Sequence, residues 1–285
     1  MNFDQAFYQV DHRLIAVVML ALLAAAGEMG FRSGLRKRDL QDSYRSLVTS
    51  ISAAMMGLLA LLLGFTLSMG VSRWDERRAV IVNEANAIGT LWLRAGLLEE
   101  PLRDDLRETL REYTDIRIMI GGSGGDQEAL RTTRTKSEFL HTSIWSVVEQ
   151  SSRPGHSNAV LGSVINAANE LIDIHELRFA SIANFLPAIL FVMLISIACV
   201  ALGFFAWSFG ASNQGKRMAN LMLGLLIGAV LLVIMDVNRP QRGRIHVGIE
   251  SLERVSESFA SLPNIRLENG SLSSSWTSPE PLGLE

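Results

Sequence analysis

Between Ser46 and Ser72 there is no charged side chain. About 20 apolar residues at about 1.5 Å rise each cross the roughly 30 Å core of a bilayer, so this run is long enough to span one. No proline lies between Ser72 and Glu100. Val71 to Leu98 is rich in helix formers, and the stretch closes with Leu-Leu-Glu-Glu before Pro101. The pattern predicts one helix over 46–98 that crosses a membrane, continues well past it and is stopped by Pro101.

Counted at about 100° per residue, Met55, Leu59, Leu62, Thr66, Arg73, Arg77, Glu84 and Leu91 share a narrow stripe of that helix. Its spanning part is apolar apart from Thr66. Two arginines one turn apart come next, then a glutamate. Asn86, Thr90 and Arg94 sit on neighbouring faces at four-residue steps. Two readings of the stripe stay open. Several copies around an axis would make it the lining of a pore. A single copy would pack it into its own bundle, with the arginines snorkelling at the helix end.

The whole chain suits a membrane protein. Of 285 residues, 48% are hydrophobic and 19% charged, against roughly 25% charged in ordinary soluble domains. A net charge of −3 implies no nucleic-acid partner. The single cysteine, Cys199, excludes an intrachain disulfide and any multi-cysteine metal site.

In chain order, residues 1–13 form a polar tail and Leu14–Gly27 an apolar run. The tail has two Asp and one Arg, so the run reads as a retained first membrane helix rather than a signal peptide, despite Ala24-Ala25-Ala26. A short basic loop at 32–45 precedes the long helix. Residues 73–184 form a helical domain outside the membrane. Leu102, Leu106, Leu110 and Tyr113 make one apolar face there, and Phe139, Leu140, Ile144, Trp145 and Val148 make a second. A third runs through Val160, Leu161, Val164, Ile165, Ala168, Leu171, Ile172 and His175. A Gly-rich break at 121–125 and a turn at 153–155 separate the helices. Phe185–Phe209 and Met218–Met235 are the third and fourth spans within 185–237. Pro187 lies in the first turn of the third, and Gly224-x-x-x-Gly228 is a close-packing motif in the fourth. Residues 238–285 form a C-terminal segment, with a short strand or helix over 241–262 and disorder after about 263. The fold class is therefore all-α: four transmembrane helices (14–72 and 185–237) with an extramembrane helical domain inserted between helices 2 and 3.

Chemistry is sparse. The histidines make no paired i,i+3 or i,i+4 set, and no HExxH, GxSxG or phosphate loop occurs. Glu170, Asp173 and Glu176 beside His175 read as solvated carboxylates rather than a metal site. No catalytic residue, cofactor or metal is expected. The spans carry charge only near their ends (Glu28, Asp236), which argues against an ion-coupled transporter. Charge does not decide topology: Arg32, Arg36, Lys37, Arg38, Arg45, Lys216 and Arg217 in the short loops are balanced across the membrane, with a lean toward those loops inside.

Three strings carry a resemblance. They are Leu63-Gly-Phe-Thr-Leu-Ser with Arg73-Trp-Asp-Glu-Arg-Arg, Glu84-Ala-Asn-Ala-Ile-Gly-Thr and Arg94; Asn166-x-x-Asn169-Glu170-x-x-Asp173 with Arg178 and Pro187; and Asp236-Val-Asn-Arg239-Pro240 with Gly243. Over roughly residues 14–255 the chain resembles the bacterial bestrophin-like membrane proteins. The resemblance implies a homo-oligomer, a pentamer, in the bacterial inner membrane, with helix 2 lining a path for small anions and the bilayer as its other partner. Leu59, Leu62, Leu63, Phe65 and Thr66 would form an apolar constriction. Arg73, Arg77, Glu84, Asn86 and Arg94 would form the mouth or couple helix to domain, with Glu84 pairing Arg77 or an arginine of a neighbouring subunit. The sequence departs from bestrophins proper in lacking a dense acidic run for calcium and a proline-containing aromatic neck. A non-conducting sensor or scaffold, binding a partner through 73–184, is the other reading.

Overall fold

The structure is a computed structural model that describes residue 7 and residues 10–37, 42–122, 127–152, 158–212, 217–239 and 247–261. Arg38, residues 123–125 of the break expected at 121–125, the turn at 153–155, Lys216, Pro240, Gly243, most of the N-terminal tail and the tail after 263 lie outside the described residues, and Gly121 and Gly122 are helical. Among the described residues the regular structure is entirely helical. In chain order the helices are α1 (His12–Leu35), α2 (Asp42–Ala95), α3 (Leu102–Gly122), α4 (Gln127–Ser151), α5 (Asn158–Ala183), α6 (Ala188–Ala211), α7 (Arg217–Val237) and α8 (Glu250–Ser261). Four helical stretches, containing α1, α2, α6 and α7, are long and apolar enough to cross a membrane.

Local chemistry sets the helix ends. Asp11 caps α1 by accepting from the Arg13 amide at 2.8 Å. The 54 residues of α2 extend about 80 Å at 1.5 Å each. This helix stops at Ala95, six residues before Pro101. The amides of Gly96, Leu97 and Leu98 turn back to the carbonyls of Leu93, Arg94 and Ala95 at 3.0–3.1 Å. That tightened last turn satisfies carbonyls an α-helix end would leave open. Pro187 is the N-cap of α6, just before its first turn, with φ −54° and ψ 131°. In the region expected to hold a short strand or helix, α8 forms.

The chain divides into two units. The first contains residues 1–80, 122–127 and 174–248. Within it α1 packs against α6 and α7, around Met19, Leu23, Leu59, Leu186, Phe191, Leu194, Leu202 and Ile234. The α1–α6 contact is backbone to backbone. A Cβ added at Gly30 would lie 2.2 Å from the Gly203 carbonyl oxygen, one at Gly34 2.2 Å from that of Trp207, and one at Gly210 2.2 Å from that of Phe31. In α7, Gly224 and Gly228 meet the side chains of Leu202 and Leu20, so that motif packs helices of one chain.

The second unit contains residues 81–121, 128–173 and 249–285. Leu106, Leu110 and Tyr113 of α3, Leu140, Ile144 and Val148 of α4, and Val164, Ala168 and Leu171 of α5 are buried. Phe139 was expected in that apolar face and is 70% exposed. It stands one residue off the buried Leu140–Ile144–Val148 line, which Val147 fills instead. The Phe259 ring of α8 stacks on Trp92 at 3.9 Å, and Arg107 and Arg111 lie 5.0 and 4.8 Å from the same indole. Burial, then neighbouring Arg103, lowers the pKa of Arg107 from its ordinary value.

Candidate functional site

Two faces of α2 behave in opposite ways. Leu59 is 2% exposed, Leu63 8%, Thr66 9% and Arg77 3%, and Leu62 is half-buried against the same core. Thr66 donates to the Leu62 carbonyl at 2.7 Å, which keeps its hydroxyl within its own helix. From Leu59 to Arg77 the stripe read from the sequence thus faces the interior of the first unit, with Leu62 and Arg73 half-buried, while its Glu84 and Leu91 are buried within the second unit. Among the expected constriction residues, Phe65 alone stands fully outward, at 63%.

The outward face has its own order. Ala54, Leu58, Leu61, Phe65, Ser68, Ser72 and Glu76 succeed one another at three- or four-residue steps, and all are exposed. It is apolar as far as Phe65, then carries two hydroxyls and a carboxylate. Beside it runs a flank of small exposed residues, Ala53, Gly57, Ala60 and Gly64. A Cβ added at Gly57 or Gly64 would meet nothing within 4 Å. These two glycines therefore serve no close contact among the described residues.

Where α2 leaves its apolar run, a polar knot forms in the first unit. Arg77 Nε donates to the Ser181 carbonyl at 3.3 Å, one terminal nitrogen to that of Asn184 at 3.0 Å and the other to that of Val237 at 3.4 Å. These carbonyls stand at the C-terminal ends of α5 and α7, where helices leave acceptors open and carry partial negative charge. Arg73 donates to the Asn184 side-chain oxygen at 2.9 Å. Asn238, fully buried, accepts the Leu186 amide at 3.0 Å and so ties the α5–α6 connection to the end of α7. Arg239, 4% exposed, donates to the Val10 carbonyl at 3.3 Å. Arg178 and His175 are buried, and the His175 ring lies 4.9 Å from Phe179. Asp236 is half-buried and Pro187 exposed.

In the second unit, Glu84 and Arg117 are both 0% exposed and pair at 2.5 Å. Tyr113 donates its hydroxyl to the same carboxylate oxygen at 3.3 Å, and Arg117 reaches the Ser137 hydroxyl at 3.5 Å. Arg94 donates to the Ser163 carbonyl at 2.6 Å. Asn86, Asn166, Asn169, Glu170 and Asp173 are exposed.

Of the residues expected to act together, Arg73 and Arg77 share Asn184. Reading the sequence missed Asn184 and Arg117, and it placed Tyr113 on an apolar face and Asn238 in a family-like string without their hydrogen-bonding roles. The only signal in it was polarity: each is polar or charged at or near an apolar face, but its partner lies tens of residues away.

A family model for the Bestrophin-like domain matches residues 19–252. No curated protein matches the sequence. Among solved structures, a single-substitution variant of a bacterial bestrophin homologue from Klebsiella pneumoniae superposes with a TM-score of 0.63 at 13% identity, over 86% of this chain and 99% of that one. A second variant of a Klebsiella pneumoniae bestrophin homologue gives 0.64 at 12% identity, over 89% and 98%. A variant described as a membrane protein gives 0.61 at 13%, over 86% and 97%. At these identities the structures share the fold, and the family match over most of the sequence makes this chain a member of the bestrophin-like family.

Proposed function

We propose that the protein is a homo-oligomeric ion channel of the bacterial inner membrane, a pentamer by family analogy, with the outward face of α2 lining its central path. The observation that carries this reading is the uncovered face itself. A helix built to cross a bilayer leaves exposed a line that runs from Leu58, Leu61 and Phe65 to Ser68, Ser72 and Glu76. Lipid is a poor solvent for that polar half. Copies arranged around an axis would give it water, make a ring of Phe65 the narrowest apolar point and set a ring of Glu76 at its mouth. The small flank at Gly57 and Gly64 would let neighbouring α2 helices approach closely. In the second unit Leu93, Leu97, Met119 and Phe139 are 55–70% exposed, a surface suited to contact between copies.

The charge assignment rests on the faces. The Arg77 guanidinium is engaged by carbonyls and Arg73 by Asn184, whereas Asp75 and Glu76 are exposed. Rings of carboxylate favour cations, so the outward face supports cation preference, whereas the family resemblance implied anions. Bilayer recordings of the purified protein under a salt gradient test this. Glu76→Lys is expected to move the reversal potential toward the anion side. An unchanged potential removes Glu76 from the path. The exposed apolar residues of the second unit also suit a scaffold that binds a partner. A well-folded oligomer with no current in any gradient would favour that reading.

A further inference from the structure

Between α1 and α7 lies a groove of about 640 Å³, within the first unit. That volume falls in the range of small-molecule sites, about 300–1,000 Å³. Leu20, Leu23, Ala24, Leu221 and Leu225 line its length. Its rim carries Glu28 between two guanidiniums, Arg32 at 2.7 Å and Arg217 at 3.5 Å. Just inside, the Asn220 side chain sits over Gly27, where a Cβ would come 2.7 Å from the amide nitrogen. Asn220 is 9% exposed, and its buried amide oxygen has no hydrogen-bond partner among the described residues. Buried polar atoms ordinarily have one, so the groove asks for a donor at this point.

We infer that this groove binds a glycerol-headed anionic phospholipid of the phosphatidylglycerol type. Each part of the lipid answers a feature of the site. An acyl chain fills the apolar length. The phosphate sits against Arg217, where two guanidiniums face one carboxylate and leave a net positive rim. The head glycerol, folded back beside the phosphate, donates a hydroxyl to the Asn220 oxygen. Phosphatidylcholine has the chain and phosphate but no such donor. Phosphatidylethanolamine has a donor but no net charge. The inference stands apart from ion conduction and requires only that α1 and α7 lie in the membrane.

Native mass spectrometry of the full-length protein in detergent tests it, with the three lipids titrated at matched chain length. Phosphatidylglycerol is expected to bind about tenfold more tightly than the other two. Arg217→Ala, at a position 64% exposed and so tolerant of change, should abolish that preference. Asn220→Leu should weaken it several-fold, and Arg13→Ala, at the other end of α1, should leave it intact. Equal binding of the three lipids overturns the inference, as does an equal effect of Arg217→Ala and Arg13→Ala. Disulfide-linked copies formed by Leu225→Cys in a Cys199→Ala background would put a second protomer in the groove and overturn it as well.

Discussion

A guanidinium buried to 3% exposure must place its donors on protein acceptors, and Arg77 does so on two helix ends at once. The residue is a structural clasp: its charge is engaged by the carbonyls it neutralises. Glu84 is a second case, since its carboxylate sits with Arg117 in a site closed to water. Breaking such a pair leaves a lone buried charge and costs about 3–5 kcal/mol, whereas replacing both partners by apolar residues costs far less. Glu84→Leu and Arg117→Met should each lower the thermal midpoint of the solubilised protein sharply, and the double variant should recover much of the loss. Strictly additive losses would show that the two side chains act independently. Neither pairing could be read from the sequence. The stripe count put Glu84 on a common face with Arg77, but Arg117 lies 33 positions away in another helix.

Helical periodicity identified which residues of α2 share a face: Leu59, Thr66 and Arg77 are buried within the first unit, with Met55, Leu62 and Arg73 half-buried, and Glu84 and Leu91 are buried within the second. It carries no information on whether that face meets an axis or its own chain, because either demands the same spacing. The end of α2 was misplaced for a similar reason. Pro101 is the stronger stop signal on paper, but the tightened turn over Gly96–Leu98 comes first. The α1–α6 contact runs through Gly30-x-x-x-Gly34, a spacing of small residues that the sequence reading passed over in favour of the Gly224–Gly228 pair. Because Gly30 meets backbone rather than a movable side chain, Gly30→Ala must push α1 away from α6. A loss of about 1–3 kcal/mol is expected, read as a lower melting midpoint. Gly57→Ala, which meets only open space in the chain, should leave the isolated protomer's packing intact. Equal destabilisation of the dissociated protomer by both substitutions would contradict the packing described above.

At the scale of the whole molecule, the sequence showed an all-helical membrane protein of bestrophin-like type, and the fold agrees. It left open which surface the proposed assembly would give to other copies, because burial within one chain is a matter of tertiary packing. The channel proposal stands or falls on whether water and ions meet the outward face of α2. The decisive test introduces single cysteines into a Cys199→Ala background and applies a charged thiol reagent during current recording. Block is predicted at Leu61, Phe65, Ser68 and Ser72, with Leu59, Leu63 and Thr66 unreactive. Block at Leu59, Leu63 and Thr66 instead, or reagent effects at none of these positions in a conducting protein, would contradict it.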